Sequence, residues 1–436
     1  MSQVTFSSSS DENALRKHIM RVCMVVYSYY EFDLRVRRYA EALVQRGAEV
    51  DVIALRSEDQ SSYELFEGVH LHRIQQRIVN EKSKLSYLIK LLSFFVRSFW
   101  FLTRAQWSRK YDLIHVHSVP DFEVFAALVP KLLGARIILD IHDLVPEFYS
   151  SKFGSSGGSF VFRVLLLVEK LSIWFSDSVI AANHLWQAKL EARSTSPKKC
   201  MTLLNFPNRS IFACQEGYRR GDRMVLIYPG TLNYHQGLDI AIRAIALIKH
   251  EAPEVELHIY GRGDQKDSLA KLVAELGLSD RIYIRGLVPV RELARLMNEA
   301  DVGIVPKRAA SFGNEAFSTK ILEFMSVGLP VVASATMIDR YYFNDDVVAF
   351  FESDNARDLA DCILRLRKHP QVRQRLAENA LRLVARYDWE VHKEDYFALV
   401  DKLTCKPSNL KAGRGNLTVG YKGEVSECAS KQAERS

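Results

Sequence analysis

The stretch from Ser311 to Ser334 constrains the fold more than any other part of this sequence. It contains a polar loop, a segment with helical spacing of apolar residues over about 319–327, a Gly-x-Pro turn at 328–330 and the apolar run Val331–Ser334. A helix that leads through a tight turn into a fully apolar strand is typical of a parallel sheet whose two faces are covered by helices. We therefore predict an α/β protein with parallel sheets.

The first turn of the predicted helix is a candidate phosphate site. Ser318 or Thr319 can cap the helix, and first-turn amides at the positive end of the helix dipole favour an anion. Lys320 adds a full charge, and Glu323 lies one helical turn further on. Glu315 precedes Glu323 by eight positions, and a carboxylate can accept two hydroxyl hydrogen bonds from a ribose or a sugar. These features together indicate a nucleotide-sugar site, although Lys320 and Glu323 alone would be typical of a solvated surface pair.

The wording STKILEFMSVGLPVVAS (318–334) resembles the C-terminal donor-site motif of family 4 glycosyltransferases, the retaining group with the GT-B fold. Further matches extend the resemblance from about Met20 to Leu403. It implies two Rossmann-like domains that face a central cleft. It also implies transfer of a hexosyl or N-acetylhexosaminyl group from a nucleotide diphosphate sugar, with retention of configuration and without a cofactor or essential metal. The sequence contains no D-x-D motif, which agrees with metal independence.

The resemblance assigns roles to the residues of the motif. Glu323 would bind the ribose diol and Glu315 the donor sugar, while Lys320 and the amides of the loop Phe317–Lys320, which includes Ser318 and Thr319, would stabilise the leaving diphosphate. The loop after strand 224–228 usually reads G-R-L-x-x-x-K-G in the family, and its Arg and Lys hold the diphosphate. Here Gly230 is kept, but Thr231 and Gln236 occupy the two cationic positions. The phosphates would therefore depend on amides, Lys320 and either Arg262 or His235, and Leu287 lies in the loop expected to hold the base.

The N-terminal half carries candidate residues at the ends of predicted strands. His117 and His142 follow two apolar runs, and open α/β sheets place ligands at such ends. His142 matches the family histidine near the donor sugar, with Asp140, Asp143 and Glu147 as groups that could orient it or bind acceptor hydroxyls. The first predicted strand is not followed by G-x-G-x-x-G, which disfavours nicotinamide and flavin. It is followed by D-x-R-V-x-R, where Asp33, Arg35 and Arg38 are either acceptor contacts or ordinary helix-surface charges.

Residues 82–110 combine basic and bulky apolar side chains. On a helical projection Lys90, Arg97 and Arg104 share one stripe, and the predicted apolar face lies opposite, with Phe94 and Phe101 close to the basic stripe. Either the apolar face packs on the N-terminal sheet, or the helix lies in a membrane interface. The predicted apolar face consists of Leu85, Leu88, Leu92, Phe95, Phe99 and Leu102.

Length and composition limit the remaining possibilities. A chain of 436 residues exceeds one ordinary core, and six scattered cysteines without C-x-x-C favour a reducing compartment over a zinc site or disulfide framework. The net charge of +7 fits phosphorylated ligands or an anionic membrane surface. The sequence contains no nucleic-acid recognition motif that would explain this charge. We predict disordered tails at 1–17 and 405–436, an acceptor-side domain at 18–208, a linker at 209–222, a nucleotide-sugar domain at 223–385 and a helix crossing back to the N-terminal domain at 386–404.

The sequence therefore predicts a glycosyltransferase that acts on a lipid-linked saccharide in cell-surface polysaccharide assembly, peripheral on the cytoplasmic face of the membrane. Two alternatives share the fold. A nucleotide-sugar 2-epimerase would release its product without an acceptor. A non-catalytic binding subunit would bind donor without turnover or not at all, an idea that Thr231 and Gln236 favour.

Overall fold

The computed structural model describes residues 19–76, 84–153, 159–215, 223–309 and 311–405. They divide into two compact units that interleave along the chain. Unit 1 takes the described residues up to His142, Leu167–Ile180 and Leu399–Thr404, and unit 2 takes Asp143–Leu166 and Ala181–Ala398. The predicted tail at 1–17, nearly all of the tail at 405–436 and the second half of the predicted linker lie outside the described residues.

The first sheet has eight strands among the described residues, in the order β3-β4-β2-β1-β5-β6-β7-β8. Strands β1, β2, β4, β5 and β6 pair in parallel, and β3 is an antiparallel edge strand on β4. Their cores are the apolar runs seen in the sequence, which are buried on both faces. The strands are β1 (Arg21–Val26), β2 (Glu49–Arg56), β3 (Tyr63–Phe66), β4 (Val69–Gln76), β5 (Leu113–His117), β6 (Arg136–Ile141), β7 (Ser178–Ala181) and β8 (Cys200–Thr202).

Helices connect these strands as crossovers. Asp33 caps the first of them by accepting a hydrogen bond from the backbone N–H of Val36, and Gly47, in a left-handed conformation with φ of 90°, follows its end. A 3-10 helix over Asp121–Ala127 leads into the third. The helices are α1 (Leu34–Gln45), α2 (Lys84–Arg109), α3 (Leu128–Leu132), α4 (Val145–Phe153), α5 (Phe160–Phe175) and α6 (His184–Arg193).

The packed side of α2 differs from the predicted apolar face. The helix buries Leu91, Phe94 and Leu102, whereas Leu88 and Leu92, which were assigned with Leu102 to the apolar face, are each 46% exposed. Phe94, which was expected near the basic stripe, packs edge-on against Tyr27. Apolar residues surround most of this helix, so hydrophobicity alone does not select the side that packs, and the fit to neighbouring rings decides it.

The second sheet lies in unit 2 and has six described strands in the order β11-β10-β9-β12-β13-β14, all paired in parallel. The strand order reverses between β9 and β12, and open α/β sheets bind ligands beside the carboxyl ends of strands at such a point. The predicted strand Val331–Ser334 is confirmed as β13. The strands are β9 (Met224–Pro229), β10 (Val255–Tyr260), β11 (Ile282–Arg285), β12 (Val302–Val305), β13 (Val331–Ser334) and β14 (Val348–Phe351).

The helices of the second half flank this sheet, and α7 packs against α12. None of the helices in the described parts of the chain combines the length and apolar character needed to cross a bilayer. The helices are α7 (Leu238–Ile248), α8 (Lys266–Glu275), α9 (Val290–Glu299), α10 (Thr319–Ser326), α11 (Met337–Tyr342), α12 (Ala356–Lys368), α13 (Pro370–Val384) and α14 (Trp389–Thr404).

Candidate functional site

Lys320 and Gly230 meet at the switch point of the second sheet. Gly230 follows β9 with φ of 140°, and a β-carbon built on it would lie 2.4 Å from Cε of Lys320. Only glycine therefore lets the lysine side chain lie across this turn. The ammonium also sits 5.3 Å from the centre of the Tyr228 ring. Two residues predicted to bind the donor phosphates are thus brought together, and Tyr228 is an additional neighbour.

Burial lowers the pKa of Lys320 to about 8, Glu323 opposes the shift, and Lys307 adds to it. Burial therefore disfavours the ammonium form, and an anionic ligand beside it would stabilise that form. Glu323, half-buried on α10, is the carboxylate one turn away.

The start of α10 is not capped as expected. Ser318 occupies the N-cap position and is buried, but its side chain makes no capping hydrogen bond, so the predicted cap by Ser318 is wrong. Thr319 is the first helical residue, and the backbone N–H of Ile321 bonds to the carbonyl of Ser318. The amides of Thr319 and Lys320 thus receive no hydroxyl from Ser318, which leaves them suited to an anion.

The loops around Gly230 pack closely through backbone. A β-carbon on Gly261 would lie 1.8 Å from the carbonyl oxygen of Gly230, and the backbone N–H of Leu232 donates to the carbonyl of Arg262. The side chain of Arg262 is exposed, as are Thr231 and Leu287. Arg262 is therefore placed beside the turn, but its guanidinium is not fixed there by a described contact.

Gln236 does not supply a substitute for the missing lysine. Its Oε1 lies 2.9 Å from the hydroxyl of Tyr228, which is also 2.9 Å from the carbonyl oxygen of Thr231. The tyrosine proton is thus shared between two acceptors. The side-chain amide of Gln236 therefore helps to hold the hydroxyl of Tyr228 in place.

Two other cations near this turn are committed to ion pairs. Lys307 is buried, with its Nζ 2.9 Å from a carboxylate oxygen of Asp339, and burial lowers its pKa although Asp339 opposes the shift. Arg308 forms ion pairs with Asp239 and Asp354. His235 is half-buried, and burial and the charge of Lys320 lower its pKa, so a histidine cation is disfavoured there. Lys320 is therefore the best placed cation for a phosphate.

Glu315 has a partner that the sequence did not reveal. Both of its carboxylate oxygens accept hydrogen bonds from Nζ of Lys189 on α6, at 2.7 and 2.6 Å, and its carbonyl accepts one from Asn183. Asn183 also caps α6. No local pattern points to this pair, since the two side chains are 126 residues apart. Phe317, which follows Glu315, is half-buried and packs edge-on against Tyr342 at 4.9 Å.

Asp140 organises a second cluster, in unit 1. Its two oxygens accept hydrogen bonds from Arg35 at 2.8 and 2.7 Å, and both side chains are buried. Arg35 is the largest of the charges that hold the pKa of Asp140 well below its usual range against the cost of burial. Arg35 is therefore no helix-surface charge. Arg38 bonds instead to the carbonyl of Leu34.

Two histidines complete this cluster. Nδ1 of His117 and Nε2 of His142 each lie 3.1 Å from Oδ2 of Asp140, and a carboxylate only accepts. Burial lowers the pKa of His117, so with its proton on Nδ1 the ring is neutral and its buried Nε2 is bare, which agrees with the absence of a partner for that atom among the described residues. In the tautomer of His142 that donates from Nε2 to Asp140, Nδ1 is an acceptor. Asp140 is thus the residue that orients His142.

The other two carboxylates proposed to orient His142, those of Glu147 and Asp143, belong to unit 2. Glu147 is engaged by Arg193, with both carboxylate oxygens bonded at 2.5 and 3.0 Å, and this contact lies in unit 2. Asp143 is half-buried at the start of the unit 2 residues.

His115, His117 and Asp140 could be read as a metal site, because one ligand atom of each lies within 4.8 Å of the others. Arg35, however, already binds both oxygens of Asp140, and a divalent ion there would face a buried guanidinium. The rings of His115 and His117 are also in contact, with centres 4.1 Å apart. This cluster therefore does not fit a metal ion.

Models of known protein families match both the N-terminal and the C-terminal half of the chain. The family model described as "Glycosyl transferase 4-like domain" matches residues 33–205, and that described as "Glycosyl transferases group 1" matches residues 215–382. An uncharacterized glycosyltransferase of Methanocaldococcus jannaschii is 26% identical over 336 residues, which is 72% of this chain and 80% of that protein. The amylovoran biosynthesis glycosyltransferase AmsK of Erwinia amylovora is 28% identical over 162 residues, 36% of this chain and 39% of that protein.

Solved structures show the same fold. Sucrose-phosphate synthase from Thermosynechococcus elongatus superimposes with a TM-score of 0.73 at 20% identity, covering 88% of this chain and 99% of that one. Anabaena HepE in complex with UDP-glucose superimposes with a TM-score of 0.66 at 16% identity, covering 87% and 99%. At these identities the likeness establishes the fold, which is GT-B as the sequence predicted.

Proposed function

This chain belongs to the group 1 glycosyl transferases of the GT-B fold and is a glycosyltransferase, and we propose that it transfers a sugar from a nucleoside diphosphate sugar to a hydroxyl of a lipid-linked saccharide. The observation that carries this proposal is the packing of Lys320 across Gly230 at the start of α10, one turn from Glu323. A cation, helix-terminal amides and a carboxylate then converge where a diphosphate and a ribose diol would bind.

Charge stabilisation of the leaving group is the main catalytic contribution in this proposal. As the glycosidic bond breaks, negative charge grows on the diphosphate, and Lys320 with the amides of Thr319 and Lys320 would neutralise it. Glu323 would accept hydrogen bonds from the ribose diol. Attack by the acceptor from the face that the diphosphate leaves gives retention of configuration, and the diphosphate itself can take the acceptor proton.

In unit 2, the sugar would be held by Glu315. Lys189 holds the carboxylate of Glu315 in place, so that its oxygens can accept hydrogen bonds from sugar hydroxyls. Within unit 1, Asp140 orients His142, and the role of His142 at the donor sugar stays a prediction. No step requires a metal ion in this scheme, and the expected resistance to chelators is tested below.

A UDP-sugar is the first donor to test, because HepE, whose fold this chain shares, was solved with UDP-glucose. A saccharide acceptor in polysaccharide assembly is supported by the name of the amylovoran relative. The described cysteines are free thiols, which fits a reducing compartment and hence work at the cytoplasmic face of a membrane.

The test is release of nucleoside diphosphate by purified protein from UDP-, GDP- and dTDP-sugars, with and without membrane lipid extract and EDTA. We expect one donor to react, only when extract is present, at a rate that EDTA leaves unchanged, and NMR of the product to show the donor's anomeric configuration. Lys320→Ala and Glu323→Gln should abolish release, while the exposed Lys271→Ala and Glu275→Gln on α8 should not. Conversion of the donor without acceptor, or donor binding without any turnover, would overturn the proposal.

A further inference from the structure

Helices α2 and α3, together with the part of α5 from Leu167 onward, belong to unit 1 and share one face of the first sheet. The strand order makes β4 to β5, β5 to β6 and β6 to β7 crossovers in one direction, and β1 to β2 a crossover in the other. Because such crossovers between parallel strands are right-handed, α2 and α3 lie on one face and α1 on the opposite face, and α5 contacts the segment that leads into α3. Contacts agree with this placement, since Phe95 of α2 packs on Phe122 and Phe125 packs on Phe175 of α5.

The outward side of α2 is apolar and uncovered. Val96, Trp100 and Trp107 are 50%, 65% and 72% exposed, and at 100° per residue they fall within 40° of one another. The opposite side of the helix, which packs on the unit, carries Leu91 and Leu102. Helix α2 therefore has two apolar sides, one that packs on unit 1 and one that is exposed and carries two tryptophans.

The neighbouring helices continue this surface. Leu132 at the end of α3 is 76% exposed, and on α5 Leu171 and Trp174 are 45% and 76% exposed at the spacing of one helical face. We call these outward residues of α2, α3 and α5 the three-helix face. Large apolar side chains exposed on several neighbouring elements indicate an interaction site.

The charges on the three-helix face have one sign. The sequence of α2 contains no acidic residue, nor does that of α3, and the one acid of α5, Glu169, is buried. Arg97, Arg104 and Lys170 are exposed beside the apolar stripes. The described residues give neither Arg97 nor Arg104 an acidic partner, and Arg97 bonds to the neutral carbonyl of Ile74.

We infer that the three-helix face lies in the interfacial region of an anionic lipid bilayer. Tryptophan and leucine would enter the boundary between headgroups and acyl chains, and the arginines and lysine would contact acidic headgroups. A second copy of the chain fits less well, since two such faces would bring arginine against arginine. This inference concerns where the enzyme binds and stands independently of the proposed reaction.

The test uses full-length protein and vesicles of phosphatidylcholine alone or mixed with phosphatidylglycerol, separated by flotation. We expect flotation with the mixed vesicles and less at high salt. The triple variant Trp100→Ala, Leu132→Ala, Trp174→Ala should partition at least roughly tenfold more weakly. Arg104→Gln should weaken binding only to the anionic vesicles. Matched controls are Leu65→Ala, on the exposed edge strand β3, and Arg243→Gln, exposed on α7, which should bind like the parent.

A second readout reports on depth. Lipids brominated on the acyl chains should quench the fluorescence of Trp100, Trp107 and Trp174 but not that of the buried Trp186 and Trp389. The inference is overturned if the parent protein does not float with anionic vesicles, or if the triple variant floats equally well. It is also overturned if light scattering shows a dimer that the triple variant abolishes, because a second copy would then cover the face. Failure of flotation with donor turnover intact would leave the proposed reaction standing.

Discussion

Cε of Lys320 lies only 2.4 Å from the position that a β-carbon on Gly230 would occupy. Gly230→Ala should therefore displace the lysine as well as strain a backbone with φ of 140°. We expect the affinity for UDP, measured by calorimetry, to fall at least about tenfold while the circular dichroism spectrum stays native. Gly134→Ala is the matched control, because Gly134 also has positive φ, of 102°, but nothing within 4 Å. Equal affinity in Gly230→Ala and the parent would contradict a phosphate role for this contact.

The lowered pKa of Lys320, about 8, predicts opposite pH trends for binding and stability. Above about pH 8 the free protein loses the ammonium, so UDP affinity should fall by up to about tenfold per pH unit until the pKa of the complex is reached. The unfolded chain, with a lysine pKa near 10.4, binds more protons than the folded chain between about pH 8 and 10, so this group makes stability rise with pH there.

Lys320→Met tests that assignment by removing the charge at similar length. Its UDP affinity should be weaker and should lose the decline above about pH 8, as judged by calorimetry in a pH series. If the variant keeps the decline of the parent, another group titrates and the assignment to Lys320 is wrong.

Local sequence predicted the parts of the fold and site whose signal is local. The helix and strand of the unit around Lys320 and Glu323 are confirmed as α10 and β13, because apolar spacing and a Gly-x-Pro turn lie within one short stretch. Arg35 and Asp140, which are 105 residues apart, were both noticed but not paired, since no periodic pattern joins residues at that separation. Lys189 was missed for the same reason.

The outward face of α2 shows a different limit. The sequence identified a basic amphipathic helix, but with apolar residues on most sides it did not determine which side packs. Trp100 and Trp107 became the exposed stripe only because Phe94 and its neighbours occupy the packed side. Burial is decided by partners distant in the chain, here Tyr27 and Phe122.

Asp140→Asn should destabilise unit 1 by about 3–5 kcal/mol, because it leaves the buried guanidinium of Arg35 without its counter-charge. Hydrogen exchange of peptides from β1, β5 and β6 in a urea series would measure this loss. The depressed pKa of Asp140 means that its stabilising contribution is present above the unfolded pKa near 3.9 and is lost as pH falls. The difference between variant and parent should therefore shrink in strong acid.

Glu49→Gln provides the control for that loss. Glu49 pairs with Arg21 at 2.8 Å, but both side chains are exposed by 40% or more, and such pairs contribute about 0–1 kcal/mol. Equal destabilisation by the two substitutions would show that burial of the Arg35–Asp140 pair is not the cause.

Lys189→Met should lower turnover without unfolding the protein. The substitution removes the hydrogen bonds that hold both carboxylate oxygens of Glu315. In our proposal these oxygens position the donor sugar, and a small misplacement of the sugar would lower kcat by about ten- to a hundredfold. Since Lys189 is 38% exposed, we expect less than about 1 kcal/mol change in stability. Lys189→Arg should restore most of the activity, and the exposed Lys198→Met should have no effect. A double variant with Glu315→Gln should be no slower than Glu315→Gln alone, whereas additive losses in kcat would show that Lys189 acts elsewhere.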